Sequence, residues 1–322
     1  MAAGMTRETS RESTDPVEAL FAAQRQRLWG LAYRLTGSAE DAEDVVQEAF
    51  ARLLERVAAR QSDDLAFWLV RVTTNLSVDA LRRRKRRAYT GPWLPAPVDV
   101  RDEEGIEARA SDEPDAGARY DRRESATFAF LIALEALGPR QRAVLLLRDV
   151  VGASARESAA ILELSEANVR VIHTRARRAM EAYDQKRCVP TPELRERHRA
   201  ALEGFLAALL SQDVRAAEAW LAESARTLTD AAGEYTALAT PLVGRARVAR
   251  FYLQATRNRQ VAEPRVEIRV LNGLPVAVIA LGRPQRRQAP LSVLGLELDA
   301  DGRIARVFTV LASRKLAALS RA

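Results

Sequence analysis

A single cysteine, Cys188, and two histidines, His173 and His198, are all that this chain of 322 residues offers to a disulfide or a soft metal ion. One cysteine excludes an internal disulfide and a cysteine-rich zinc site, and two histidines leave no basis for a conventional one. No apolar run approaches the roughly 20 residues that a bilayer-spanning helix needs, so no membrane partner is expected. Residues 1–16 lack an apolar core and are read as a disordered N-terminus, not a signal peptide. The expected location is the cytoplasm, and no motif calls for a cofactor or a metal.

What the chain has in excess is positive charge: 50 lysines and arginines against 43 acids, a net +7. That balance favours a polyanionic partner without naming one. The length suggests two or three domains, and 48% hydrophobic with 29% charged residues fits a globular protein.

The most informative stretch is FWLVRVTTNLSVDALRRRKRR at 67–87, ending in six consecutive cations, Arg82 to Arg87. At about 100° per residue, Asn75, Asp79, Arg82, Arg83 and Arg86 fall along one side, with Leu69, Val72 and Leu76 opposite. Such a helix can sit on a small core and present polar and cationic groups to nucleic acid. Two helices precede it. Residues 17–36 keep a helical period through Val17, Leu20, Phe21, Gln24, Leu28, Leu31 and Leu35, and Gly37 stops them. Residues 39–58 follow a Ser38 cap and put Val46, Phe50, Leu53 and Val57 on a seam. Their first turns are dense in acid, with Asp41, Asp44, Gln47 and Glu48 facing outward.

Residues 89–122 read as a linker: YTGPWLPAPV is proline-rich, and 99–124 hold ten acids against five arginines. An all-helical unit follows at 123–187. SATFAFLIALEAL and RQRAVLLLRDVV flank Gly138-Pro139, a third helix starts at a capping box on Ser154, and EANVRVIHTRARRAMEAYD is the fourth. In that last helix Val169, Ile172, Ala176 and Met180 share one face, while Arg170, Val171, Thr174, Arg175 and Arg178 lie around the other. A capped helix, a tight turn and a second helix with outward arginines is the arrangement that enters a major groove. After a linker at 188–197, residues 198–322 mix helices at about 198–211, 213–222 and 244–258 with four strand-like runs. These are RVEIRVL, PVAVIALG, LSVLGLEL and IARVFTVL.

Taken together these segments resemble a sigma factor of RNA polymerase, of the extracytoplasmic-function (ECF) group in the sigma-70 family. DAEDVVQEAFARLLE is similar to the region 2.2 helix that docks on the polymerase clamp. The 67–87 stretch is similar to regions 2.3 and 2.4, which melt and read the −10 element. Residues 137–182 are similar to region 4, which reads the −35 element and sits on the polymerase flap. The remainder resembles a subgroup whose sigma core is fused to a SnoaL-like cone. WLPAP at 93–97 is similar to its inter-domain signature, with Ala96 where Glu is usual, and NGLPVAVIAL at 272–281 to a cone strand. Two further signatures are altered, as DAAGE at 230–234 and ASRKL at 312–316, and Ile172 stands where a polar residue is common.

The resemblance implies a multidomain chain: two all-α sigma domains (a region 2 bundle at 17–88, a region 4 helix-turn-helix at 123–187) and a C-terminal α+β cone at 198–322. It implies core RNA polymerase and promoter DNA as partners. Asp41, Asp44, Gln47 and Glu48 would meet the polymerase; Asn75, Asp79, Arg82, Arg83 and Arg86 the −10 element; Arg170, Val171, Thr174, Arg175 and Arg178 the −35 element. Loop residues 60–66 would pocket a flipped base. Trp93, Leu94 and Pro95 would form an interdomain docking strip through which the cone modulates activity. Two rivals stand beside this reading: a DNA-binding regulator independent of polymerase, and a SnoaL-like cyclase or isomerase with a DNA-binding appendage. The enzyme would need an acid or base in its cup. Asp230, Glu267 and Glu297 are the candidates, each expected at a solvated strand or turn position.

Overall fold

The computed structural model describes residues 16–58, 64–86, 89–99 and 118–319, with side chains described from Leu20 onward. The expectations for residues 1–15, for 60–63 of the flipping loop and for 100–117 of the acidic linker lie outside these residues, as does the Val17 side chain.

Three helices form the first unit: α1 (Pro16–Thr36), α2 (Ala39–Ala58) and α3 (Leu65–Arg86). Gly37 turns the chain between the first two at φ +69°, a conformation that costs glycine little. Ser38 Oγ then accepts the Asp41 N–H at 3.1 Å. Leu28, Leu35, Val46, Phe50, Leu53 and Leu69 build the core. The buried stripe of α3 differs from the periodicity reading. It runs through Leu69, Thr73, Ser77 and Leu81, while Val72 and Leu76 are half-buried. Small hydroxyl residues sit inside because Ser77 Oγ and Thr74 Oγ1 donate to carbonyls one turn back, both at 2.7 Å.

The second unit opens with a short 3-10 turn (Glu124–Ala126), α4 (Phe128–Ala133) and another 3-10 turn (Leu134–Ala136), not one continuous helix. Thr127 breaks it, its Oγ1 bonding the Glu124 carbonyl while capping Phe130 N. Then come α5 (Pro139–Asp149), α6 (Ala155–Leu162), α7 (Glu166–Ala179) and the single turn α8 (Glu181–Asp184). The two units are not separate beads. One apolar cluster runs from Leu28, Phe50 and Leu69 to Leu146, Ile161 and Met180. Within 89–122, residues 94–98 are buried, and so is Tyr120, whose N–H bonds the Asp149 carbonyl. The prolines of this stretch exclude helix, not packing.

The C-terminal domain packs α9 (Pro192–Leu210), α10 (Val214–Trp220) and α11 (Arg245–Gln260) on one face of a six-stranded sheet, and α12 (Ser313–Leu316) follows the last strand. Strands β1 (Leu221–Asp230), β2 (Leu242–Val243), β3 (Pro264–Leu271), β4 (Leu274–Leu281), β5 (Leu291–Leu298) and β6 (Ile304–Val310) are ordered β2-β1-β6-β5-β4-β3, with only β1 and β6 parallel. Strand β1 went unread in the sequence because its inward positions are Ala225, Thr227 and Thr229, not large apolar residues. Strand β4 reads as unbroken apolar sequence because both faces are covered. Ala277, Ile279 and Leu281 meet the domain's own helices, and Val276 and Val278 meet Leu94 and Phe128 from the helical half.

Gly295 on β5 makes that second contact possible. A Cβ there would lie 2.2 Å from the ring of Phe308, its partner on β6, which stacks on Phe128 at 4.6 Å between centroids. Gly295→Ala is therefore expected to push Phe308 off Phe128 and destabilise the chain by about 1–3 kcal/mol of overpacking. Urea unfolding of the full chain measures this, and a change within error would contradict it.

Candidate nucleic-acid interface

Helix α7 is set by caps at both ends of the turn before it. Ser154 Oγ and the Glu157 carboxylate bond each other's backbone N–H groups at the start of α6, and Ser165 Oγ accepts Asn168 N at the start of α7. Between them Glu163 takes a left-handed φ of 54°. Val144, Ala159 and Val169 lock α5, α6 and α7 together, with Ile172 half-buried against them. Arg170, Val171, Thr174, Arg175 and Arg178 are all exposed. Arg170 is steadied by Glu166 at 2.8 Å, and Thr174 Oγ1 returns its proton to the Arg170 carbonyl. His173 and Arg177 instead face buried Asp149 at 2.9 and 3.5 Å. The free face thus offers three guanidinium groups around an apolar Val171, groups that suit guanine edges or phosphates and a thymine methyl.

The polar face of α3 is divided. Arg82, Arg83 and Arg86 are exposed, and Arg82 pairs with Asp79 at 2.8 Å. Asn75 is half-buried and donates from Nδ2 to the Ile161 carbonyl at 3.2 Å, while Arg71 pairs with Glu163. Both partners belong to the end of α6, so the second unit covers the midpoint of the first unit's basic helix. Two members of the cation run face the protein: Arg84 bonds the Thr36 carbonyl and Glu135, and Lys85 the Leu137 carbonyl. Phe67 and Trp68 pack half-buried on the core, with Arg56 over the Trp68 ring.

On α2, Asp44, Gln47 and Glu48 are exposed and Asp41 is half-buried. Glu48 pairs with Arg52, and Glu40 with Arg314 of α12, so the C-terminal domain reaches the edge of the acidic face.

Between the domains runs a strap, residues 89–99. Trp93 sets the edge of its indole against Gly37, where any side chain would meet it at 2.3 Å, and two cations lie over its ring, Arg84 at 3.9 Å and Lys315 at 4.2 Å. Leu94 and Pro95 are buried, Leu94 against Val276, Val278 and Phe308. The strap is bonded on both sides. Ala96 N donates to Gly37 O, and its carbonyl accepts from Tyr33 Oη at 2.7 Å. Asn272, at φ 51° in the β3–β4 turn, accepts Val98 N and donates to Tyr33 Oη and the Ala126 carbonyl.

Asp230 is the largest departure from the sequence reading. It is fully buried, not solvated, and accepts from Tyr89 Oη at 2.5 Å, Leu94 N at 2.7 Å, Ala232 N at 3.2 Å and Lys315 Nζ at 2.6 Å. Burial, opposed by Asp230, holds the Lys315 ammonium down at about 8. Burial and the same carboxylate raise the Tyr89 phenol well above its ordinary range. Glu267 is exposed and Glu297 pairs with Arg306 at 2.7 Å, so neither is an unengaged acid in a cup. Asp230, Asn272 and Lys315 come from three of the resembled segments, DAAGE, NGLPVAVIAL and ASRKL; Asp230 and Lys315 bond Leu94 of the fourth, WLPAP, and Asn272 bonds Val98 just after it.

Comparison with known proteins bears on the same segments. Residues 20–87 match the family model of sigma-70 region 2, and residues 128–180 that of sigma-70 region 4. The ECF RNA polymerase sigma factor SigJ of Mycobacterium tuberculosis is 40% identical over 166 residues, 50% of this chain and 49% of SigJ. The ECF RNA polymerase sigma factor SigG of the same species is 34% identical over 226 residues, 62% of this chain and 60% of SigG. The chain spans about half to three fifths of the length of these curated relatives. The crystal structure of M. tuberculosis SigJ superposes with a TM-score of 0.69 at 26% identity, over 93% of this chain and 98% of that one, so the likeness extends into the α+β domain. These relatives are transcription factors, a non-enzymatic class. Among the described residues no helix is long and apolar enough to cross a membrane.

Asp230→Asn leaves the Lys315 ammonium buried without its counter-charge, which costs about 3–5 kcal/mol in comparable pairs. Adding Lys315→Met to that variant is expected to recover part of the loss. Denaturant unfolding of the full-length variants decides this: equal stability of Asp230→Asn and wild type would contradict the anchor.

Proposed function

We propose that this chain, whose helical half carries sigma-70 regions 2 and 4 and is homologous to the ECF sigma factors, directs core RNA polymerase to specific promoters. One observation carries the reading: each region presents a basic helix on a packed scaffold, and the two regions occur in order in one chain. The exposed face of α7, with Arg170, Val171, Thr174, Arg175 and Arg178, reads the −35 element. Helix α3 serves the −10 element, with Asn75 at a base edge, Asp79 orienting its neighbours, and Arg82, Arg83 and Arg86 on phosphates. The outward acids of α2, with Asp41, Asp44, Gln47 and Glu48, dock on the polymerase clamp.

The conformation described is the resting one. Asn75 is half-buried with one amide hydrogen engaged by the Ile161 carbonyl, and Arg71 holds α6 over the same helix. Promoter engagement requires α3 and α6 to part. The C-terminal domain, read as a SnoaL-like cone, modulates that step: it grips the strap between the two regions and touches α2 through Arg314. A cup enzyme is disfavoured, because Asp230 is spent on the strap.

Transcription by core polymerase plus this chain on a randomised promoter library tests the proposal. The expected result is start sites sharing one −10 and one −35 sequence; no start sites dependent on the chain would overturn it. In the same assay Arg170→Ala is expected to relax one −35 position by about 1–3 kcal/mol, whereas Arg82→Ala weakens all promoters alike. An unchanged −35 preference in Arg170→Ala would remove α7 as the reader.

A further inference from the structure

The C-terminal domain holds a cavity of about 440 Å³ between α11, the ends of β1 and β6, and the loops at 236–238 and 285–289. Its size is that of a small-molecule site. Phe251, Leu238 and Leu311 supply apolar wall, and no carboxylate lines it. Two polar groups stand in that wall with nothing to bind. The Arg259 side chain is half-buried and makes no hydrogen bond or ion pair with any described residue, and its burial lowers the guanidinium pKa. Thr229, 4% exposed, has a hydroxyl without a hydrogen-bond partner among the described residues. Buried polar groups are normally paired, so an unpartnered buried hydroxyl beside a half-buried guanidinium with no counter-charge in the lining marks a place for an acceptor. The neighbouring Tyr252 shows the contrast: its hydroxyl is satisfied by Thr227 at 2.7 Å and Thr309 at 3.0 Å.

We propose that this cavity binds a small monocarboxylate with an apolar body, its carboxylate on Arg259 and Thr229 and its body against Phe251, Leu238 and Leu311. A guanidinium presents paired donors in the geometry a carboxylate accepts. One inner cation balances one negative charge; Arg286 and Arg287 are exposed at the rim and draw anions toward the mouth. The site also touches the strap anchor. Thr229 immediately precedes Asp230, and the N–H of Leu311, which lines the cavity, donates to the Asp230 carbonyl at 2.7 Å. On the reading of this domain as a regulator, occupancy reports through these two residues to the grip on Leu94.

Titration calorimetry of the full-length chain tests the site without any polymerase, so its outcome is independent of the transcription reading. The probes are benzoate, phenylacetate and decanoate, with phenylacetamide and benzyl alcohol as neutral counterparts. The expected result is saturable one-site binding of at least one carboxylate, at least tenfold tighter than either neutral compound. Arg259→Gln is expected to weaken it at least tenfold and Thr229→Val by a smaller factor, while Arg250→Gln, on the exposed face of the same helix, leaves it unchanged. Absence of saturable binding across the three carboxylates, equal binding of the neutral compounds, or undiminished binding to both Arg259→Gln and Thr229→Val would overturn the proposal.

Discussion

A carboxylate with no exposure to water holds the two halves of this protein in register. Burying a charge is unfavourable unless its lone pairs are met, and Asp230 has four donors, from Tyr89, Leu94, Ala232 and Lys315. Two of those donors belong to the strap, and a third lies beyond the last strand of the sheet. The anchor therefore forms only when strap, β1 and α12 are all in place. From it a line of charged and aromatic groups crosses the molecule. Lys315 and Arg84 both lie over the Trp93 ring; Arg84 pairs with Glu135, which also pairs with buried Arg142. Arg142 ends the line on the Leu35 carbonyl in α1. Its two ends, Asp230 and Arg142, are buried and the members between them half-buried, so losing one leaves its neighbours with unmet charge.

Much of the helical half was legible in the sequence, because its signals are local. Gly37 stops α1, the Ser154 box starts α6, and the period through Val169, Ala176 and Met180 orients α7. Each signal acts within a few residues of where it is written. The C-terminal strands with large apolar side chains were legible for the same reason. Strand β1 was not, since threonine and alanine do its inward packing, and the α3 stripe was misplaced where Thr73 and Ser77 replace apolar residues. The roles of Asp230, Arg84 and Lys315 were hidden for another reason. A buried aspartate and a solvated one are the same letter, and the partners of Asp230 lie up to 141 residues away. The signatures at 93–97, 230–234, 272–281 and 312–316 were visible separately; only the fold shows that they are parts of one joint.

That joint gives the proposed function its control point. On that proposal the two basic helices serve different DNA segments, yet in this state α6 covers the middle of α3 and a shared core joins the regions. Opening has a free-energy cost, and whatever binds the open form better shifts the population by that differential affinity and no more. On the proposed function, core polymerase and promoter DNA favour the parted regions, whereas the strap, bonded to Gly37 and Tyr33 on one side and to Asp230 and Asn272 on the other, favours the closed one. A domain that grips a linker needs no chemistry to regulate, which is consistent with carboxylates committed to structure.

The central claim is that the closed arrangement belongs to the free protein and opens on polymerase. Energy transfer between labels on exposed Glu55 of α2 and exposed Glu181 of α8, with Cys188 replaced by serine, measures it directly. The account predicts one short distance in the free chain and a longer one once core polymerase is added. A distance unchanged by polymerase, under conditions where the labelled chain supports transcription, would contradict it.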